Sequence, residues 1–259
     1  MRTLGLLGGM SWHSTVDYYR VLNEIAHAAR GGHASAPLAV QSLDFAQVRA
    51  LQVEGRWDDA AALLLDAARR TRDAGAEAVL ICTNYMHRVA DHVQAGLDVP
   101  LLRITDALAA RAQHDGHRRV GLLGARGTME GAFYLDALRA GGLEVLTPDA
   151  ADRAEVDRLV FEELTLGVVS PRGRATFDRL LDEFGGRGAD AVILGCTEIQ
   201  LAVTPATSPL PLLDSLRVHA EYAAAWALRA PGPSPARPPV LPPVLPPVPR
   251  PGTWSEVPA

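Results

Sequence analysis

Short apolar runs alternate along the chain with longer segments in which alanine and leucine are interleaved with charge. Leu38-Ala39-Val40, Val79-Leu80-Ile81, Val120-Gly121-Leu122 and Val192-Ile193-Leu194 offer no polar residue to turn toward water, so each predicts a strand buried on both faces. Between them, segments such as Asp58 to Ala74 have a helical composition and stop at Gly75, a residue suited to ending a helix. Strands and helices in alternation, with wholly apolar strands, predict an α/β fold built on parallel sheets covered on both sides.

The pattern also repeats. Gly5-Leu6-Leu7-Gly8 returns as Gly121-Leu122-Leu123-Gly124, and Gly75-Ala76-Glu77-Ala78-Val79-Leu80-Ile81-Cys82-Thr83 returns as Gly188-Ala189-Asp190-Ala191-Val192-Ile193-Leu194-Gly195-Cys196-Thr197. Self-similarity on this scale predicts two pseudo-symmetric lobes, each a small parallel sheet flanked by helices, with a ligand cleft between them. The expected boundaries are 1–103 plus 206–229 for the first lobe and 104–205 for the second. The chain is expected to cross near Ile104 and again near Pro205 to Pro211, with a last helix around Val218 to Leu228 returning to the first lobe. From Pro231 onward, runs such as Pro238-Pro239-Val240-Leu241-Pro242-Pro243 lack the N–H groups that a helix or sheet needs, so residues 230–259 are expected to be a proline-rich, disordered tail.

Composition narrows the chemistry. With 48% of its residues apolar, the chain can bury a core without a disulfide or metal staple. A net charge of −5 with no basic block excludes the electrostatic footprint of a nucleic-acid binder and leaves a small molecule as the expected partner. No apolar stretch approaches the roughly 18–20 residues that span a bilayer, so no membrane partner is expected. The two cysteines lie too far apart for a C-x-x-C site or a secreted disulfide framework, which fits a reducing, cytoplasmic setting. All 25 basic residues are arginine, and with lysine absent no Schiff-base chemistry, including that of pyridoxal phosphate, is open to this chain.

Those two cysteines carry the sharpest signal, since each follows an apolar run at a matched position of the repeat and each is followed by threonine. A lone cysteine there is ordinarily a small buried hydrophobe. A duplicated one at the carboxyl ends of two facing sheets suits an acid/base pair flanking one cleft, and a following helix N-terminus would favour thiolate. Backbone N–H groups of the Gly8-Gly9-Met10-Ser11 turn and around Thr128 are expected to hold an anionic group. Thr83 and Thr197 suit helix N-caps as well as ligand contact, and Glu198 suits a first-turn glutamate, a thiol-orienting group or a partner for an ammonium. His87, five residues after Cys82, has no further ligand nearby to make a metal site, so no metal is expected.

Gly8-Gly9-Met10-Ser11-Trp12, Asp44-Phe45 with Gln52, Cys82-Thr83-Asn84 with Met86-His87, Gly127-Thr128-Met129-Glu130, Phe161-Glu162-Glu163-Leu164 and Gly195-Cys196-Thr197-Glu198 together resemble the aspartate/glutamate racemase family. The match is strongest to its aspartate-racemase and broad-specificity amino-acid branch, and it extends over residues 1 to 229. The resemblance implies racemisation without a cofactor: one of Cys82 and Cys196 removes the α-proton as thiolate while the other, as thiol, reprotonates the opposite face. It further implies substrate contacts from Met10, Ser11, Gln52, Thr83, Asn84, Thr128, Thr197 and Glu198, and a homodimer. His13 and Tyr85 depart from the family pattern, both expected beside the cleft. No lysine follows the Glu-Glu-Leu motif, which leaves Arg49 alone to meet an acidic side chain and makes a broader amino-acid range credible. A hydantoin racemase or related α-proton isomerase, and a non-catalytic two-lobed binding protein for an acidic metabolite, are the alternative readings.

Overall fold

A computed structural model describes residues 1–229; the proline-rich tail expected at 230–259 lies outside the described residues. The chain runs β1 (Leu4–Gly8), α1 (Trp12–Arg30), β2 (Leu38–Ser42), α2 (Phe45–Val53), α3 (Trp57–Asp73), β3 (Ala78–Ile81), α4 (Ala90–Ala95), β4 (Leu101–Leu102) and α5 (Ile104–His114). It continues through β5 (Arg119–Gly124), α6 (Arg126–Glu130), α7 (Ala132–Ala140), β6 (Glu144–Leu146), α8 (Ala150–Glu162), α9 (Pro171–Gly186), β7 (Ala191–Gly195), β8 (Leu212–Asp214) and α10 (Ser215–Leu228). Short 3-10 helices occupy Tyr85–Val89, Leu164–Leu166 and Thr197–Leu201.

Two four-stranded, wholly parallel sheets result, ordered β2-β1-β3-β4 and β6-β5-β7-β8. The orders are the same when β5 to β8 replace β1 to β4, which is the repeat seen in the sequence. Its glycines have a packing reason: a Cβ on Gly5 would lie 2.6 Å from Thr71 of α3, and one on Gly121 would lie 2.6 Å from Phe184 of α9. In both lobes a helix is thereby let down onto the central strand.

Alternation within the strands accounts for the layers. Leu4 and Leu6 of β1 and Leu80 of β3 enter one apolar cluster, while Leu7, Val79 and Ile81 enter another beneath α2, α3 and α4. The first of these clusters continues into the second sheet through Val120, Leu122, Val192 and Leu194, so the lobes share a core rather than merely touching. Helices α1, α5 and α10 build the shared part. On α1, Tyr18, Val21, Leu22, Ile25 and Ala26 form a buried stripe at helical spacing, whereas α10 is apolar on nearly all sides because it is wedged between α1 and α5. Its one buried carboxylate, Glu221, is held by Arg111 at 2.8 Å and Arg217 at 2.9 Å.

The expected boundary at 205/206 needs correction. Leu212–Asp214 pairs in parallel with β7, through Val192↔Leu212 to Leu194↔Asp214, so the segment leading to α10 completes the second sheet. A three-residue edge strand lies below the length at which periodicity can declare it.

Candidate active site

A cysteine directly follows each of the central strands β3 and β7, and the cavity between the lobes opens at these carboxyl ends. Its lining includes Met10, Ser11, Gln52, Thr83, Asn84, Thr128, Cys196, Thr197 and Glu198. Of the residues expected at the site, all but Cys82 therefore meet at one cavity. Cys82 is 1% exposed, belongs to the shared core, and has its Sγ 4.0 Å from the Leu80 carbonyl; Thr83 and Asn84, which follow it, form the wall in front.

The loop carrying Cys82 is tied down from behind. His87 donates from Nδ1 to the Thr83 carbonyl at 2.9 Å and accepts from the Ile104 N–H at Nε2, 3.0 Å away. With both nitrogens in use and burial pushing its pKa down to about 4, it is a neutral structural imidazole. Asn84 accepts from the Tyr134 hydroxyl at 2.7 Å and donates to Ser215 Oγ at 3.0 Å, which fastens the same loop to α7 and α10. Behind it, Tyr18 donates to His219 Nδ1 at 2.7 Å, and His219 Nε2 donates to the Leu102 carbonyl at 2.8 Å.

Cys196 stands in different surroundings. Its Sγ donates to Glu198 Oε2 at 3.0 Å, an oxygen that also accepts from Thr197 Oγ1 at 2.7 Å. The other carboxylate oxygen accepts from Ser11 Oγ at 3.3 Å, and Thr197 Oγ1 is 2.8 Å from Ser14 Oγ, so the start of α1 is laced across the cleft to the second lobe.

Two expectations about this chemistry are overturned. The helices after the cysteines are five-residue 3-10 segments, and no cap bond comes from the side chain at either start. Burial pushes the Cys82 thiol up, and burial followed by the Glu198 carboxylate pushes Cys196 up as well, so desolvation opposes the thiolate that a helix dipole would favour. The expected backbone cradle is spent in part. Gly9 N–H donates to Thr15 Oγ1 at 2.7 Å and Thr128 N–H to the Ala125 carbonyl at 2.9 Å. A side chain there is free as well: Thr128 Oγ1, on a fully buried residue that lines the cavity, has no hydrogen-bond partner.

Of the departures from the family pattern, Tyr85 lines the cavity and packs over Gly127 of the other lobe, where an added Cβ would come within 2.2 Å of its ring. His13 does not adjoin the cleft: it is exposed on α1 and stacked on Trp12, because its helical position faces outward. Ser14, Phe45, Val160, Phe161 and Thr165 complete much of the lining. Phe45 and Phe161 belong to motifs already singled out, and Ser14 lies nearly one turn beyond Ser11; nothing in the sequence marked Val160 or Thr165.

Comparison with known proteins agrees with this geometry. The family model for Asp/Glu/Hydantoin racemase matches residues 7–223. A candidate Asp/Glu racemase from Yersinia pestis shares 43% identity, covering 88% of this chain and 100% of that one, with a TM-score of 0.85. An aspartate racemase homologue from Pyrococcus horikoshii OT3 shares 32% identity over 88% of this chain and 100% of that one, with a TM-score of 0.78. Among curated proteins, the broad specificity amino-acid racemase RacX of Bacillus subtilis (strain 168) is 24% identical over 162 residues, 61% of this chain and 68% of RacX. On the extent of that match, the chain belongs to the Asp/Glu/hydantoin racemase family.

Proposed function

We propose that this protein is a cofactor-independent amino-acid racemase in which Cys82 and Cys196 exchange the α-proton across the two faces of the substrate. The observation that carries the reading is the pairing, at one cavity, of a cysteine bonded to a carboxylate with a buried hydroxyl that lacks any partner. The repeat supports it, since Cys82 follows the strand that corresponds to the one before Cys196. The relatives are described as a broad specificity amino-acid racemase, a candidate Asp/Glu racemase and an aspartate racemase homologue, which favours amino acids over hydantoins as substrates.

The residues divide the work by charge. Thr128 Oγ1 donates to the α-carboxylate, with Thr83 beside it, and these bonds strengthen as charge from the broken Cα–H bond moves into the carboxylate. Glu198 faces the α-ammonium. Because Glu198 helps keep Cys196 protonated, an arriving cation offsets its field and lowers the cost of forming thiolate. One cysteine releases its proton to solvent as the substrate enters; the resulting thiolate takes the α-proton and becomes a thiol, and the opposite thiol gives its proton to the other face of the carbanion and becomes a thiolate. Cα has lost one C–H bond and gained another, the configuration is inverted, and the two sulfurs have exchanged protonation states. In this reading Cys82 reaches the cleft through a small shift of the Thr83-Asn84 wall when the ligand binds.

The test is α-hydrogen exchange and enantiomer interconversion in D2O with the wild type, Cys82→Ser and Cys196→Ser. Each variant is expected to lose interconversion by about 100-fold or more. Near wild-type interconversion in either one would remove the two-thiol mechanism, and tight amino-acid binding with no exchange in the wild type would favour a binding protein.

A further inference from the structure

The cavity lining carries a specific charge pattern. Among the described residues, Glu198 is its one carboxylate, and no arginine, lysine or histidine lines it. In the reading above, on which this inference rests, the two charges of an amino-acid backbone already have partners in Glu198 and Thr128. A second substrate carboxylate would enter beside Glu198 with no cation in the wall to receive it.

The wall on the α2 and α8 side is mainly apolar, with Gln52 and Thr165 its neutral polar members. Phe45 on α2 and Val160 and Phe161 on α8 line it, together with Met10 and Tyr85. Gln52, the polar residue on the α2 side, is occupied at both ends: its Nε2 donates to Met86 Sδ at 3.1 Å and its Oε1 accepts from Arg49 at 3.3 Å. Arg49 is the cation best placed to meet an acidic side chain, yet its guanidinium lies over the Phe161 ring, 4.4 Å from the centroid. That stack joins α2 to α8, and of its two members Phe161 lines the cavity whereas Arg49 does not.

We propose that the substrate side chain is uncharged and apolar, of the aliphatic or thioether class, and that Phe45, Val160 and Phe161 form its pocket while Arg49 serves to hold Phe161 in place. With Arg49 engaged there, the described lining offers no cation to a dicarboxylic amino acid.

The experiment measures α-hydrogen exchange in D2O for the L-enantiomers of leucine, methionine, aspartate, glutamate and lysine, with the wild type, Phe161→Arg and Arg49→Gln. Leucine or methionine is expected to exceed aspartate, glutamate and lysine by about tenfold or more in kcat/KM. Placing a cation in the wall with Phe161→Arg is expected to shift the ratio toward aspartate and glutamate, and Arg49→Gln, which loosens Phe161, to lower kcat/KM for leucine and methionine by about twofold or more with no selective loss for aspartate or glutamate. Faster exchange of aspartate, glutamate or lysine overturns the substrate class and leaves the racemase reading standing. A selective loss of aspartate exchange in Arg49→Gln shows that Arg49 reaches the substrate and overturns the proposed pocket. No exchange with any of the five amino acids overturns both readings.

Discussion

Thr128 separates a functional from a structural role more sharply than any other single residue here. A buried hydroxyl without a partner costs stability, so replacing it by a methyl group of the same shape should be neutral or stabilising. Thr128→Val is therefore expected to melt at or above the wild-type temperature while losing about tenfold or more in kcat/KM. A lower melting temperature with unchanged kinetics would show the hydroxyl to be incidental. Glu198 makes a second, opposite-signed case. Its carboxylate is among the causes that raise Cys196, so Glu198→Gln should move the midpoint of Cys196 alkylation to lower pH, even as the loss of an ammonium partner raises KM. An unmoved alkylation profile would mean that burial alone governs the thiol.

Among the elements, the turn between β1 and α1 sets the cleft's entrance. Gly9 has φ +85°, and a Cβ there would lie 2.0 Å from the Leu43 carbonyl oxygen, where the chain leaving β2 crosses the end of β1. Gly9→Ala must therefore distort both the turn and the seating of Met10 and Ser11. A loss on the order of 1–3 kcal/mol is expected, read by denaturant unfolding together with reduced kcat/KM. Wild-type stability in that variant would show the turn to be more pliant than this packing implies. The 3-10 segments after the cysteines explain why helix position is a poor guide to thiol chemistry. Five-residue turns add little dipole, and the desolvation of a strand-end sulfur outweighs it.

At the scale of the whole molecule, buried groups between the lobes set an acid limit. Burial holds His87 at about 4 and His219 at about 3, whereas an unfolded histidine titrates near 6.5. Their contribution is complete above pH 6.5 and is lost as pH falls through the window below it, because the unfolded chain takes up protons that the folded chain refuses. Asp214, capping α10 and raised by burial to about 6, acts in the opposite direction between pH 6 and its unfolded value near 3.9. Two histidines against one carboxyl leave a net uptake of about one proton on unfolding between pH 6 and 4, worth about 1.4 kcal/mol per pH unit. Urea unfolding across that range should show stability falling with pH at this slope. His219→Gln, which keeps a donor for Leu102, should flatten it, and an unchanged slope would assign the acid limit to other groups.

Much of this was legible in one dimension. The apolar runs and the doubled Gly-Leu-Leu-Gly and Cys-Thr segments determined two parallel α/β lobes and a cysteine after a central strand in each, because strand burial and side-chain inventory are properties of local sequence. Short edges were not legible, and β8 fell on the wrong side of a boundary for that reason. Only the tertiary structure decided which backbone donors were already spent, that Thr128 alone among the lining residues was left with an unpartnered buried oxygen, and that Arg49 lay on Phe161 instead of in the cavity. Hydrogen-bond occupancy and desolvation depend on what distant segments bring to the same point, and no spacing along the chain encodes that directly.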